Sequence, residues 1–284
     1  MVQQSSTHKW LPQSAANDGP RFLAVANQKG GVGKTTTAVN LSTALAAVGK
    51  KVLLIDLDPQ GNASTGLGLN RADRQGSSYD LLFGGRDALD TTHRTKVPRL
   101  DVIPSSIHLS GADIELVNMK RREFRMRDAL RGQPLNYDYV LIDCPPSLSL
   151  TTLNALTATD GVIVPLQCEF YALEGLSQLV RTIERVKKHY NPTLEIQGLV
   201  LTMFDKRNNL AHMVAEDVRK YFGDKVYQTV IPRNVRISEA PSYGLPAIIY
   251  DMRCSGSQGY IQLAKELIRR EKTLSKSVAQ QKVA

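Results

Sequence analysis

The sequence predicts an α/β fold: a mostly parallel, twisted sheet with helices on both faces. Three observations carry that prediction. Short apolar runs recur without the strict alternation of a half-exposed strand. Helix-patterned stretches separate them, as crossover connections between parallel strands require. A glycine-rich loop joins the first apolar run to the first helical one. The chain has 284 residues, 42% of them apolar, which is enough for one large α/β core.

The elements follow in order. Residues 22–26 are apolar throughout, as in a strand buried on both faces. Residues 35–48 are rich in Ala, Leu and Thr and free of Pro, which suits a helix. Further strands are expected at 52–56, 100–103, 139–143, 161–165, 198–204 and 226–231. Further helices are expected at 111–130, 148–158, 173–190, 210–222 and 257–270. In such a sheet ligand sits at the carboxyl ends of the strands. There is no internal repeat, and no Pro/Gly/Ser linker interrupts the body. One domain over 21–270 is therefore expected, between a disordered N-terminal arm at 1–20 and a polar, frayed C-terminal tail at 271–284. The arm reads as neither a signal peptide nor a separate DNA-reading domain.

Composition excludes some classes of function. No stretch approaches the roughly 20 apolar residues that cross a bilayer. Cys144, Cys168 and Cys254 are far apart, which argues against a disulfide framework or metal cluster and for a reducing cytoplasm. The net charge of +9 favours a polyanionic partner.

The glycine loop reads Lys29-Gly30-Gly31-Val32-Gly33-Lys34-Thr35. Strand, glycine loop and helix form the setting in which backbone N–H groups cradle phosphate. In that setting Lys34 reaches the β- and γ-phosphates and the Thr35 hydroxyl ligates Mg²⁺. The usual P-loop spacing has glycine at position 28, where this chain has Gln28. A second cation, Lys29, opens the loop instead. It is poorly placed for the phosphates of its own loop and well placed for a nucleotide held by a neighbouring chain, which implies a dimer. The strand at 52–56 ends in Asp56 and Asp58, which share a face if the strand persists. Such carboxylates hold a metal's water shell or orient an attacking water, although Asp-Pro also starts turns. The strand at 139–143 ends in Asp143, the pattern of the acid that reaches Mg²⁺ through water in P-loop NTPases.

Together with the stretch from Val226 to Gly244, these motifs resemble the deviant-loop P-loop ATPases of the ParA and MinD group. The stretch Ile231-Pro232-Arg233-Asn234-Val235-Arg236 is more similar to the chromosomal partition ATPases, ParA or Soj, than to MinD. The resemblance spans about residues 21 to 268. It implies that Lys29 crosses a dimer interface to the partner's ATP, and that Gly30 lies where two chains meet. The ATP site would comprise Lys29, Gly30, Gly31, Val32, Gly33, Lys34, Thr35 and Thr36. Its adenine would lie near Met203, Pro232, Arg233 and Asn234. Lys29, Lys34, Asp58 and Asp143 would carry catalysis, with Asp58 orienting the water. Thr35, Asp56, Asp58 and Asp143 would surround Mg²⁺. ATP and Mg²⁺ are the implied cofactors. The implied cycle is an ATP-bound sandwich homodimer that binds DNA without sequence preference. A ParB-type (Spo0J-like) partner then releases it by stimulating slow hydrolysis, and the implied location is the nucleoid.

The C-terminal half is rich in Arg and Lys without interleaved aromatics, which suits phosphate contact and not base reading. Arg207 and Arg236 are the DNA-contact residues the resemblance favours, with Lys225 and Lys265 as further candidates. A basic run at 120–127 reads as the solvated face of a helix with Leu116, Met119, Phe124 and Leu130 inward, or as a ParB contact. A membrane-positioning ATPase of the MinD type is the main rival. The apolar face of Leu263, Leu267 and Ile268 is short and lacks Phe or Trp, which disfavours it. A metallocluster carrier would need paired cysteines at the dimer face.

Overall fold

The computed structural model describes residues 19–281; residues 1–18, most of the expected arm, and 282–284 lie outside them. Seven strands form one sheet: β1 (Arg21–Val25), β2 (Val52–Asp56), β3 (His93–Arg94), β4 (Leu100–Ile103), β5 (Tyr139–Asp143), β6 (Gly161–Gln167) and β7 (Glu195–Thr202). Their order is β3-β4-β2-β5-β1-β6-β7, and every neighbouring pair is parallel except β3 with β4. The expected α/β class and the P-loop strand–loop–helix unit are both present.

Eleven α-helices are found among the described residues: α1 (Lys34–Ala47), α2 (Asn62–Gly66), α3 (Ser78–Phe83), α4 (Ala112–Val117), α5 (Arg125–Arg131), α6 (Leu150–Ala158), α7 (Ala172–His189), α8 (Asn209–Phe222), α9 (Val235–Glu239), α10 (Ala247–Tyr250) and α11 (Ser255–Gln281). α1 and α11 cover one sheet face over Leu23, Val25, Leu54 and Leu141. On the other face α5, α6, α7 and α8 pack over Phe22, Ala24, Leu53, Ile55 and Val140. Consecutive residues of β1 and β2 thus enter two different cores, which is why their sequences do not alternate.

The structure corrects three expected elements. Residues 226–231 do not form a ladder strand; single bridges join Val226 to Leu199 and Pro232 to Phe204. Between the bridges the Gln228 and Thr229 N–H groups donate to the Glu266 carboxylate at 2.9 Å each, so α11 takes the donors a sheet would have used. The expected helix 111–130 breaks into α4 and α5, with Arg121 at φ 53° between them. Side chains of α6 hold the break. Asn154 accepts from Met126 N–H at 3.1 Å and donates to the Arg122 carbonyl at 2.7 Å, and Thr157 donates to the Glu123 carbonyl at 2.6 Å. Finally, α11 runs past 270 to Gln281, through the first part of the expected tail. Glu271 turns inward there and accepts from Tyr139 Oη at 2.5 Å and Arg21 Nε at 3.3 Å.

Candidate nucleotide-binding site

The loop from Asn27 to Gly33 leaves the carboxyl end of β1 in the middle of the sheet. Gly31 (φ 75°) and Gly33 (φ 85°) take left-handed backbone that bulkier residues avoid, and this turns successive N–H groups inward. Gly33 also caps α1 with no side chain, so the first-turn N–H groups of that helix stay free for an anion. Two neighbours brace the loop. Thr202 at the end of β7 donates to the Val32 carbonyl at 2.8 Å. Asn27 donates to the Pro165 carbonyl at 2.8 Å and accepts from Lys29 N–H at 3.0 Å.

Lys34 is buried, and its ammonium donates to the Lys29 carbonyl at 3.0 Å. Burial lowers its pKa, with Asp143 opposing that shift. Thr35 and Thr36 follow at the start of α1. Asp56 and Asp143 face the same end from adjacent strands, paired in register. Both are fully buried. Neither oxygen of Asp143 has a hydrogen-bond partner of ordinary geometry among the described residues. Burial raises the Asp143 pKa well above the usual carboxylate range and Asp56 adds to the rise; the Thr35 hydroxyl and Lys34 offset it only in part. Asp56 is pushed up to about 6, chiefly by burial, although Ser64 bonds its carboxylate through both N–H and hydroxyl. Asp58 is half-buried on the following turn.

A buried cation, free helix N–H groups and a buried acid without a well-formed hydrogen bond among the described residues suit a Mg²⁺-bound phosphate group. Among the described residues no cluster of three His, Cys, Asp or Glu forms a ready-made metal site. That fits Mg²⁺, which keeps several waters and takes one or two carboxylates plus substrate phosphate. The loop, Lys34, Thr35, Asp56 and Asp143 therefore meet at one place, with Asp58 on its margin.

The other sequence-derived candidates lie around this centre. Met203 follows β7 at φ 49°, a conformation rare for a side-chain-bearing residue. Phe204 N–H donates to the Ile231 carbonyl at 2.9 Å and Arg233 N–H to the Phe204 carbonyl at 3.2 Å. These bonds bring Met203, Pro232 and Arg233 together, with Asn234 next in the chain and capping α9. Lys29 does not join Lys34 in the loop's interior: its part-exposed ammonium pairs with Glu169 at 2.7 Å. Gly30 is exposed, with nothing within 4 Å of where a Cβ would stand.

The basic candidates do not converge on one compact patch. Arg207 follows β7 and is held by Asp205 in a two-pronged ion pair that pulls the acid down to about 2. Lys225 pairs with Glu195 at the opposite end of the same strand. Arg236 pairs with Glu239 at 2.9 Å and Asp251 at 3.7 Å. Lys265 is exposed on α11, in an open groove of about 660 Å³ that includes Gln258, Gln262 and Arg269. No helix among the described residues is long and apolar enough to cross a membrane.

Sequence reasoning missed Glu169, Thr202, Ser64 and Ser105. The sequence signal for Thr202 and Ser105 was position alone, just at or after the carboxyl end of a strand.

Fold and loop together define a P-loop nucleotide-binding domain, and comparison with known proteins narrows that class. The AAA domain family profile matches residues 20–196. The chromosome partitioning protein ParA of Caulobacter vibrioides is 62% identical over 254 residues, which cover 89% of this chain and 95% of that protein. The sporulation initiation inhibitor protein Soj of Bacillus subtilis is 58% identical over 247 residues, covering 87% and 98%. The chain belongs to the ParA/Soj family of partition ATPases. Among solved structures, a cobyrinic acid a,c-diamide synthase from Mycobacterium smegmatis with bound ATP analogue and magnesium superposes at TM-score 0.78 with 37% identity, covering 89% of this chain and 96% of that one. A putative plasmid partition protein from Borrelia burgdorferi bound to AMPPNP superposes at 0.75 with 27% identity, covering 88% and 99%.

Proposed function

We propose that this chain binds Mg²⁺–ATP at the loop, dimerises face to face, and in that state binds DNA without sequence preference. A ParB-type partner then stimulates hydrolysis and releases it. The observation that carries the reading is Lys29: it opens the phosphate loop, leaves its own phosphate cradle to Lys34, and extends to the outer rim. A cation so placed supplies charge to a nucleotide in a second subunit, as an arginine finger does in trans. Lys34 and the α1 N–H groups hold the phosphates. Mg²⁺, when bound, neutralises charge on the transferring phosphoryl group. Asp143 and Asp56 would hold the metal's water shell, Thr35 would offer its hydroxyl, and Asp58 would orient the attacking water. Turnover by the chain alone is slow, because positioning without a stimulating partner leaves most of the barrier in place. The reading places the protein in the cytoplasm on the nucleoid, with DNA contact through Arg236 and the exposed face of α11 at Lys265, and with Arg207 and Lys225 contributing once their carboxylate partners release them.

The test is binding to random-sequence duplex DNA with ATP, ADP or no nucleotide across a salt series. ATP-dependent, salt-sensitive binding that Lys29→Ala and Arg236→Glu each abolish supports the reading. Gly30→Val should bind ATP and sediment as a monomer: the single chain has room for the side chain, and the proposed dimer would bring a second chain against it. Absence of DNA binding with every nucleotide sinks the partition reading and makes lipid vesicles the next surface to try.

A further inference from the structure

Two buried serines connect the acids of the site, and the chemistry above uses neither. Ser105 lies two residues beyond the end of β4, the neighbour of β2 in the sheet, and is fully buried. Its hydroxyl donates to the Asp58 carbonyl at 2.5 Å, and its N–H donates to Ser64 Oγ at 3.0 Å. Ser64, also fully buried, passes the connection on by donating to Asp56 Oδ2 at 2.7 Å. The Ser105 carbonyl accepts from Arg74 Nη1 at 3.3 Å. The other end of that guanidinium grips the same turn, at the Gly61 carbonyl (3.2 Å) and Thr65 Oγ1 (3.0 Å).

Buried polar groups are hydrogen-bonded in any fold, so bonding alone assigns no role. The destinations of these bonds are what matter. All three polar groups of Ser105 serve the turn that carries Asp56 and Asp58. Without its hydroxyl, the Asp58 carbonyl would keep, among the described residues, only the Gly61 N–H at 2.9 Å, a bond internal to the turn. Among the described residues the Asp58 carboxylate itself accepts only from Gln60 N–H, at 3.0 Å, which is again local. The Asp58 N–H donates to Asp56 Oδ1 at 3.2 Å and the preceding Leu57 N–H to the Asp143 carbonyl at 3.0 Å, so β2 and β5 hold the amide side of this peptide and the exit of β4 holds its carbonyl side.

We propose that Ser105, supported by Ser64, is a positioning residue for ATP hydrolysis that fixes the Asp58 carboxylate without touching the nucleotide. The proposal rests on Asp58 as the group that orients the attacking water.

The experiment is single-turnover hydrolysis of Mg²⁺–ATP by the full chain in excess, with Mg²⁺–ATP affinity and melting temperature measured alongside. Ser105→Ala should slow hydrolysis about five- to tenfold, the rate equivalent of one ordinary hydrogen bond, and leave affinity and melting temperature near wild type. Ser105→Thr, which keeps the hydroxyl, should recover most of the rate. Ser64→Ala should show the same loss of rate and stands in if Ser105→Ala fails to fold. A rate within about twofold of wild type in a folded Ala variant overturns the proposal. A rate loss matched by lost affinity or lost melting temperature also overturns it, because a merely structural role would move all three. Asp58→Asn separates the two levels. If it hydrolyses ATP at the wild-type rate, the water-orienting role of Asp58 falls and this proposal with it. If it is inactive while Ser105→Ala is normal, only the role of Ser105 falls.

Discussion

The two ends of the sheet bury similar charged groups and treat them differently. At the strand starts the acids Asp160, Glu195 and Glu271 all have partners. Asp160 accepts from Phe22 N–H at 2.8 Å and from Arg131 at 2.5 Å. Glu195 meets Arg21 and Lys225, and Glu271 meets Arg21 and Tyr139. At the strand ends Asp143 lies fully buried with no hydrogen-bond partner of ordinary geometry among the described residues, and Thr35 and Lys34 only partly offset its burial. Lys34 gives its ammonium to a single backbone carbonyl. A buried charge without a partner costs stability, and a partner for it removes most of that cost. One end therefore holds the fold together, and the other holds charge in readiness for a ligand that brings phosphate and a cation.

Substitutions at the two ends should have opposite consequences. Lys34→Ala should weaken Mg²⁺–ATP binding at least about a hundredfold by calorimetry, with no loss of melting temperature. Asp160→Ala should do the reverse. Leaving Arg131 and the Phe22 N–H without their acceptor should cost about 3 kcal/mol in denaturant unfolding, while ATP affinity of the folded fraction stays the same. At a pH where the Asp143 carboxylate is ionised, Asp143→Asn should stabilise the ligand-free chain by about 1 kcal/mol, because a buried charge is removed, and should abolish the Mg²⁺-dependent part of nucleotide binding. Destabilisation by that variant would show that the two ends are not different in kind. The smallest effect is on pH dependence. Asp56 has a usual pKa of 3.8 and a folded value of about 6, so between those values the folded chain binds more protons than the unfolded one. Stability of the ligand-free protein should therefore fall as pH rises through that window, and thermal melts at pH 4.5 and 6.5 check it (roughly the window's two edges). Saturating Mg²⁺–ATP, which needs the carboxylate ionised, should flatten or reverse the trend.

The sheet was largely legible in the sequence because its central strands are apolar on both faces and each ends in a recognisable turn or acid. Asp143 could be read for the same reason: it closes an apolar run just where β5 ends. What could not be read depends on side chains distant in the chain. Residues 226–231 have strand composition, but Glu266, some forty positions later, takes two of their N–H groups. No Gly or Pro marks the break between α4 and α5, because Asn154 and Thr157 on α6 impose it. Glu271 looks like tail by composition, and only the nearness of Arg21 and Tyr139 shows that α11 is still packed there. Ser64 and Ser105 belong to no motif. Their role becomes visible only once β4 is known to lie beside β2.

The strand order also has a consequence for synthesis. β1 carries the phosphate loop at its end, yet its neighbours in the sheet are β5 and β6, both encoded more than a hundred residues later. At ribosomal speeds of roughly 5–20 residues per second, the first strand waits on the order of ten seconds for either flank. Non-local pairing of this kind is slow to form and leaves strand edges open in the meantime. The loop is thus among the first parts of the chain to be made and among the last to be set in place, so a chain arrested before residue 139 would contain the whole glycine motif and have no cradle for ATP.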